Sequence, residues 1–99
     1  MTIGGFSNER WSEIALTVAS VAPIDRILVF GSRAKGNFRE GSDVDLAVEG
    51  SAWTPADTEH ARELLEERFF PWSFDVILPP PDGALAEHIE RVGFEITGN

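Results

Sequence analysis

The sequence has no cysteine and no tyrosine. The first absence excludes disulfides, thiolate nucleophiles and zinc–cysteine sites. The second excludes any chemistry on a tyrosine of the chain's own. Long apolar runs are also missing: none approaches the ~18 residues of a membrane-spanning helix. The segment Met1-Thr2-Ile3-Gly4-Gly5 has neither a charged n-region nor an apolar h-region, so no secretory signal is expected and a cytoplasmic home is the default. Cations are scarce, with 8 Lys and Arg against 17 Asp and Glu and a net charge of −9. Proteins that grip nucleic acid unaided need a basic footprint, so no direct nucleic-acid partner and no membrane partner is expected. Internal repeats, low-complexity tracts and linkers are absent too, and 99 residues suit one domain spanning 1–99.

The few cations that are present are not spread evenly. Arg33, Lys35 and Arg39 fall within seven residues, just after the pair Gly31-Ser32. An acidic chain with one local cationic loop fits a small-anion site better than a duplex binder. A short loop later comes Ser42-Asp43-Val44-Asp45-Leu46. On a strand, residues i and i+2 point to the same face, so Asp43 and Asp45 share one side while Val44 and Leu46 take the other. A third acid, Asp75, interrupts the apolar run Phe74-Asp75-Val76-Ile77-Leu78. Two carboxylates on one strand face, opposite a turn suited to phosphate, match divalent metals and a nucleoside triphosphate.

Around these motifs the periodicity alternates between helix and strand. Trp11, Ile14, Ala15, Val18 and Val21 repeat at helical spacing, which predicts a first helix over Ser7–Val21 with Ser7 as N-cap. Ile27-Leu28-Val29-Phe30 reads as a strand buried on both faces. A short helix can begin at Ser32 and run to Gly36. Asp43–Val48 reads as the second strand. Thr54-Pro55 is a helix start, with Thr54 as N-cap and Pro55 at the first helical position; Ala61, Leu64, Leu65 and Phe69 form its buried stripe. Ser73–Leu78 reads as the third strand, ended by Pro79-Pro80-Pro81. A last helix from about Gly83 to Val92 is expected to turn Leu85, Ile89 and Val92 inward, with Gly93 closing it. Phe94–Asn99 is read as irregular. His60 and His88 are read as solvated helix residues, Trp11 as core, and Trp53 and Trp72 as core edges or partner contacts. The expected architecture is a small α/β (α+β) domain, a mixed sheet of about three strands flanked by helices.

Gly31-Ser32, ten residues, then Asp43-Val44-Asp45 resembles the signature of the DNA polymerase beta-like nucleotidyltransferase superfamily. The fuller string Phe30-Gly31-Ser32-Arg33-Ala34-Lys35-Gly36 with Ser42-Asp43-Val44-Asp45-Leu46 is similar to its minimal nucleotidyltransferase (MNT) branch, and the likeness covers nearly the whole chain. The resemblance implies transfer of a nucleoside monophosphate from a triphosphate to an acceptor hydroxyl, with release of pyrophosphate. It further implies Mg²⁺ as cofactor (two ions), ATP as substrate, and an antitoxin that adenylylates a HEPN-domain toxin, typically on tyrosine. Such a product would have to form in trans, because the chain has no tyrosine of its own.

By the same resemblance, Asp43 and Asp45 bridge the metals, and Asp75 binds the metal that activates the acceptor and takes its proton. Mg²⁺ prefers carboxylate oxygens and retained waters, and two such ions can clamp the attacking and leaving oxygens. Gly31 lets the backbone approach a phosphate without a Cβ in the way. Ser32 can offer its hydroxyl and its N–H. Arg33 is the preferred phosphate contact, since its fork is bidentate, with Lys35 second. Two alternatives stand beside this reading: a non-catalytic module that neutralises a partner by occlusion, and a small-molecule nucleotidyltransferase needing a helper subunit.

Overall fold

A computed structural model describes residues 2–98. The described elements, in order, are β1 (Thr2–Ile3), β2 (Phe6–Ser7), α1 (Asn8–Ala19), β3 (Arg26–Phe30), α2 (Gly31–Lys35), β4 (Val44–Glu49), α3 (Pro55–Arg68), β5 (Phe74–Ile77), α4 (Ala84–Val92) and β6 (Phe94–Ile96). Strands β1 and β2 form a small antiparallel hairpin. The other four make one mixed sheet in the order β5-β4-β3-β6, with β4 and β5 parallel and the other two pairings antiparallel.

Both long helix starts are capped as their sequences suggest. The Ser7 hydroxyl accepts from the Arg10 N–H at 3.1 Å. Thr54 and Asp57 exchange side-chain-to-backbone bonds in a capping box, with Pro55 inside the first turn. The short α2 ends at Gly36, whose left-handed conformation returns its N–H to the Ser32 carbonyl.

Strand alternation divides the interior into two layers. Ile27, Val29, Val44, Leu46, Val48, Phe74, Val76 and Ile96 face α1 and α3, where Trp11, Ile14, Val18, Ala61 and Leu65 complete the main core. The opposite face carries Leu28, Phe30 and Ala47, covered by Ile89 of α4. That second cluster is small, so α4 shields only part of its face. Trp53 is buried in the main core and Trp72 packs at its margin.

Three expectations change. The tail is not irregular: Phe94–Ile96 pairs antiparallel with β3 and drives Ile96 into the core, so the sheet has four strands rather than three. The stretch is too short for a strand pattern to stand out, and its pairing partner lies more than sixty positions upstream. Leu85 is not inward but 42% exposed, and Ile89 is the buried residue of α4. Gly93 does not adopt a left-handed cap; its backbone is extended and leads directly into β6.

Candidate active site

The register of the sheet places the acids. Asp45 lies opposite Phe30 on β3 and opposite Asp75 on β5. Asp45 and Asp75 are therefore direct neighbours on parallel strands, and both point to the face that α4 covers only in part. Asp43 stands one residue ahead of β4, at its entry. Asp43 and Asp75 are exposed and Asp45 is half-buried. None of the three has an ion-pair or hydrogen-bond partner among the described residues.

Their proximity shows in the acidity of Asp45. Burial first, then the charges of Asp75 and Asp43, push its pKa from 3.8 up to about 6, against a smaller downward pull from Arg33. Among the described residues, no three His, Cys, Asp or Glu side chains close into a metal-holding group. The donor chemistry nonetheless fits a hard divalent cation: oxygen ligands only, none of them in an ion pair among the described residues.

The turn after β3 passes directly over Asp45. Gly31 has φ +72°, a region that disfavours side chains, and a Cβ built there would land on Asp45 Oδ2. Only glycine lets the backbone lie so close to the carboxylate. The Gly31 N–H donates to Nε2 of His88 on α4 at 3.2 Å, and the His88 ring meets Phe30 edge-on at 6.1 Å. Ser32 follows half-buried at the start of α2, and Lys35 projects into solvent at its end.

Arg33 occupies a different place from the rest of the turn. It is 3% exposed. Its Nε and Nη2 both donate to the Ser42 carbonyl, at 3.3 and 2.9 Å, and its Nη1 donates to the Gly4 carbonyl at 2.7 Å. The guanidinium lies over the rings of Phe6 and Phe38, at 4.5 and 5.2 Å from their centroids. Burial lowers its pKa from the ordinary value, while Asp43 and Asp45 oppose that shift. The fork anticipated for a phosphate thus holds two backbone carbonyls, one of them immediately before Asp43. A string of motif residues carries no sign of this, because Gly4, Phe6 and Phe38 are supplied by other parts of the chain.

Glu66 on α3 does comparable work for the third acid. Its Oε2 accepts from the Phe74 N–H at 3.0 Å and its Oε1 from Arg62 at 2.9 Å, which anchors the first residue of β5 beside Asp75. A separate groove of about 480 Å³ lies at the far end of β4 and β5, lined by Leu78, Pro79, Pro80 and Ile89. Its charged groups already satisfy one another, with Arg26 bound to Glu49 and Glu90.

Residues 12–94 match the nucleotidyltransferase domain family. The chain belongs to that family. No curated protein matches the chain. Among solved structures, a toxin–antitoxin crystallised with AMP-PNP is similar with a TM-score of 0.71 at 17% identity, over 89% of this chain and 73% of that one. A mutant of the toxin–antitoxin MntA–HpeT is similar with a TM-score of 0.73 at 15% identity, over 90% and 73%. At such identities the likeness is one of fold, and this domain shares the nucleotidyltransferase fold seen in those complexes. In this nucleotidyltransferase domain the motif acids and the Gly-Ser turn come together at the end of the sheet where β3 finishes and β4 and β5 begin.

Proposed function

We propose that the domain transfers AMP from Mg-ATP to a hydroxyl of a partner protein, a HEPN-type RNase toxin, and thereby acts as its antitoxin. The observation that carries this reading is the side-by-side register of Asp45 and Asp75, with the Gly31 backbone packed against the Asp45 carboxylate. Asp43, Asp45 and Asp75 are the residues that would hold Mg²⁺, which when bound neutralises triphosphate charge and lowers the barrier to attack on phosphorus.

The chain's own contributions follow from where each group stands. The acceptor oxygen forms a bond to the α-phosphorus as the bond from that phosphorus to pyrophosphate breaks. Asp75, exposed on an edge strand, is open to an incoming hydroxyl and accepts its proton. Ser32 offers a hydroxyl and an N–H to the triphosphate, and Lys35 is a solvent-facing cation within reach of a bound anion's field. Arg33 acts one step back, holding the Ser42 carbonyl and hence the entry to β4.

No tyrosine occurs in the chain, so a tyrosine product lies on another protein. The solved complexes of similar fold are toxin–antitoxin assemblies, which supports a toxin as that partner. The test is incubation with labelled ATP, Mg²⁺ and the product of a neighbouring gene. Label should appear on the partner and be lost with Asp43→Ala, Asp45→Ala. A partner that stays unlabelled defeats the proposal. The net charge of −9 favours one competing reading, neutralisation of a basic toxin by occlusion. Full rescue from toxicity by the same double variant would decide for occlusion.

A further inference from the structure

The contact between α4 and the turn has no counterpart in the motif itself. His88 is the only described side chain that bonds to the Gly31 backbone, and it does so across 57 positions of sequence. Nε2 can accept only through a free lone pair, so the ring presents an acceptor, not a donor, to the turn. The bond fixes the plane of the Phe30–Gly31 peptide. Phe30 supports the same ring from its edge, and Ile89, the next residue on α4, is buried against Phe30 and Leu28. Helix, imidazole and turn therefore form one rigid connection on the face that carries Asp45 and Asp75.

Two consequences bear on nucleotide binding. The Gly31 N–H is engaged by His88, so anion-binding donors of this turn begin at Ser32. Gly31 and Ser32 both belong to α2, so a bond that holds the Phe30–Gly31 peptide limits how that short helix and its Ser32 N–H can turn at the end of β3, and a dipole aimed in advance binds charge without reorganisation at the moment of binding. Placed on the left-handed side of φ, Gly31 has no Cβ to restrict its backbone, so a tether from outside the turn is what limits its freedom.

We infer that His88 is a positioning residue for the triphosphate: through Nε2 and the Gly31 N–H it holds the Gly-Ser turn in the conformation that receives phosphate. The inference rests on the nucleotidyl-transfer reading above.

Two variants separate this role from general support of the fold. His88→Phe keeps a ring against Phe30 and removes the acceptor. His88→Gln places an amide oxygen near the position of Nε2 and retains one. Calorimetric titration with Mg-AMP-PNP gives affinity and stoichiometry, and amide hydrogen exchange at Gly31 reports the bond itself. His88→Phe should weaken binding by about tenfold, the value of one hydrogen bond, at undiminished stoichiometry and with faster Gly31 exchange. His88→Gln should stay within about threefold of the parent, which is less than ~1 kcal/mol by the same conversion, with Gly31 protected. Equal affinity in His88→Phe and the parent overturns the inference while leaving the transferase reading intact. So does an equal loss in both variants. Failure of the parent itself to bind Mg-AMP-PNP overturns both.

Discussion

Asp45 carries a cost that its surroundings impose. In the fold its carboxyl holds a proton up to a pH of about 6, whereas in the unfolded chain it releases that proton near 3.8. Between those values the folded state binds more protons, so this group's contribution to stability falls as pH rises through the window and stays low above it. Asp45→Asn removes the charge at nearly constant shape. Half-exposed as the group is, solvent screening reduces the effect to about 1 kcal/mol, or ~4–8 °C for a domain of this size. The expected outcome is a higher melting temperature for the metal-free variant at pH 8, a gain that vanishes by about pH 4, and no transferase activity. Thermal melts across that range would expose the opposite trend if the acids were not coupled.

Arg33 is decided at the same scale. Arg33→Lys preserves the charge but cannot span the Ser42 and Gly4 carbonyls or offer a planar guanidinium to the rings of Phe6 and Phe38. A loss of roughly 2–3 kcal/mol in urea unfolding is expected, from unsatisfied buried carbonyls. A phosphate ligand would behave differently, leaving stability alone and weakening ATP binding.

At the level of elements, the least evident piece is β6. It closes the β3 edge of the sheet, and its Ile96 side chain, 7% exposed, reaches the main core. Ile96→Ala should cost about 2–4 kcal/mol by cavity formation, measured as a shift in the urea midpoint at constant m-value. A near-neutral result would mean that the tail is dispensable. Helix α4 has two duties that its apolar rhythm does not distinguish: Ile89 packs on Leu28, Phe30 and Ala47, while His88 one position earlier reaches the turn. Helix α3 likewise contributes Leu65 to the core and Glu66 to the first residue of β5.

Across the whole molecule, the defining property is an uneven charge distribution. Seventeen acids against eight cations leave the three site carboxylates without ion-pair partners among the described residues, and the nearest cation, Arg33, is committed to backbone. A divalent cation carried to that end of the sheet by a nucleotide should bind the folded state alone and stabilise it by mass action. With Mg-ATP at about 100 times its dissociation constant, ~2.7 kcal/mol is gained, and the melting temperature should rise by roughly 10 °C or more. Chelation should reverse the rise. A melting curve indifferent to saturating Mg-ATP would count against an assembled site.

Much of this was readable along the chain, because some choices are local. Helical spacing from Trp11 to Val18, the Ser7 and Thr54 caps, and the apolar run Ile27–Phe30 mark α1, α3 and β3 without reference to anything distant. The period-two alternation around Asp45 and Asp75 likewise settles which side of its strand each acid takes. What remained hidden involves partners far apart in sequence. That Asp45 and Asp75 share one register, that Arg33 turns inward to Gly4 and Ser42, that His88 holds Gly31, and that Phe94–Ile96 joins β3 all follow from chain closure in three dimensions. A side chain's type limits what it can bond to; only the packed fold determines which group is within reach.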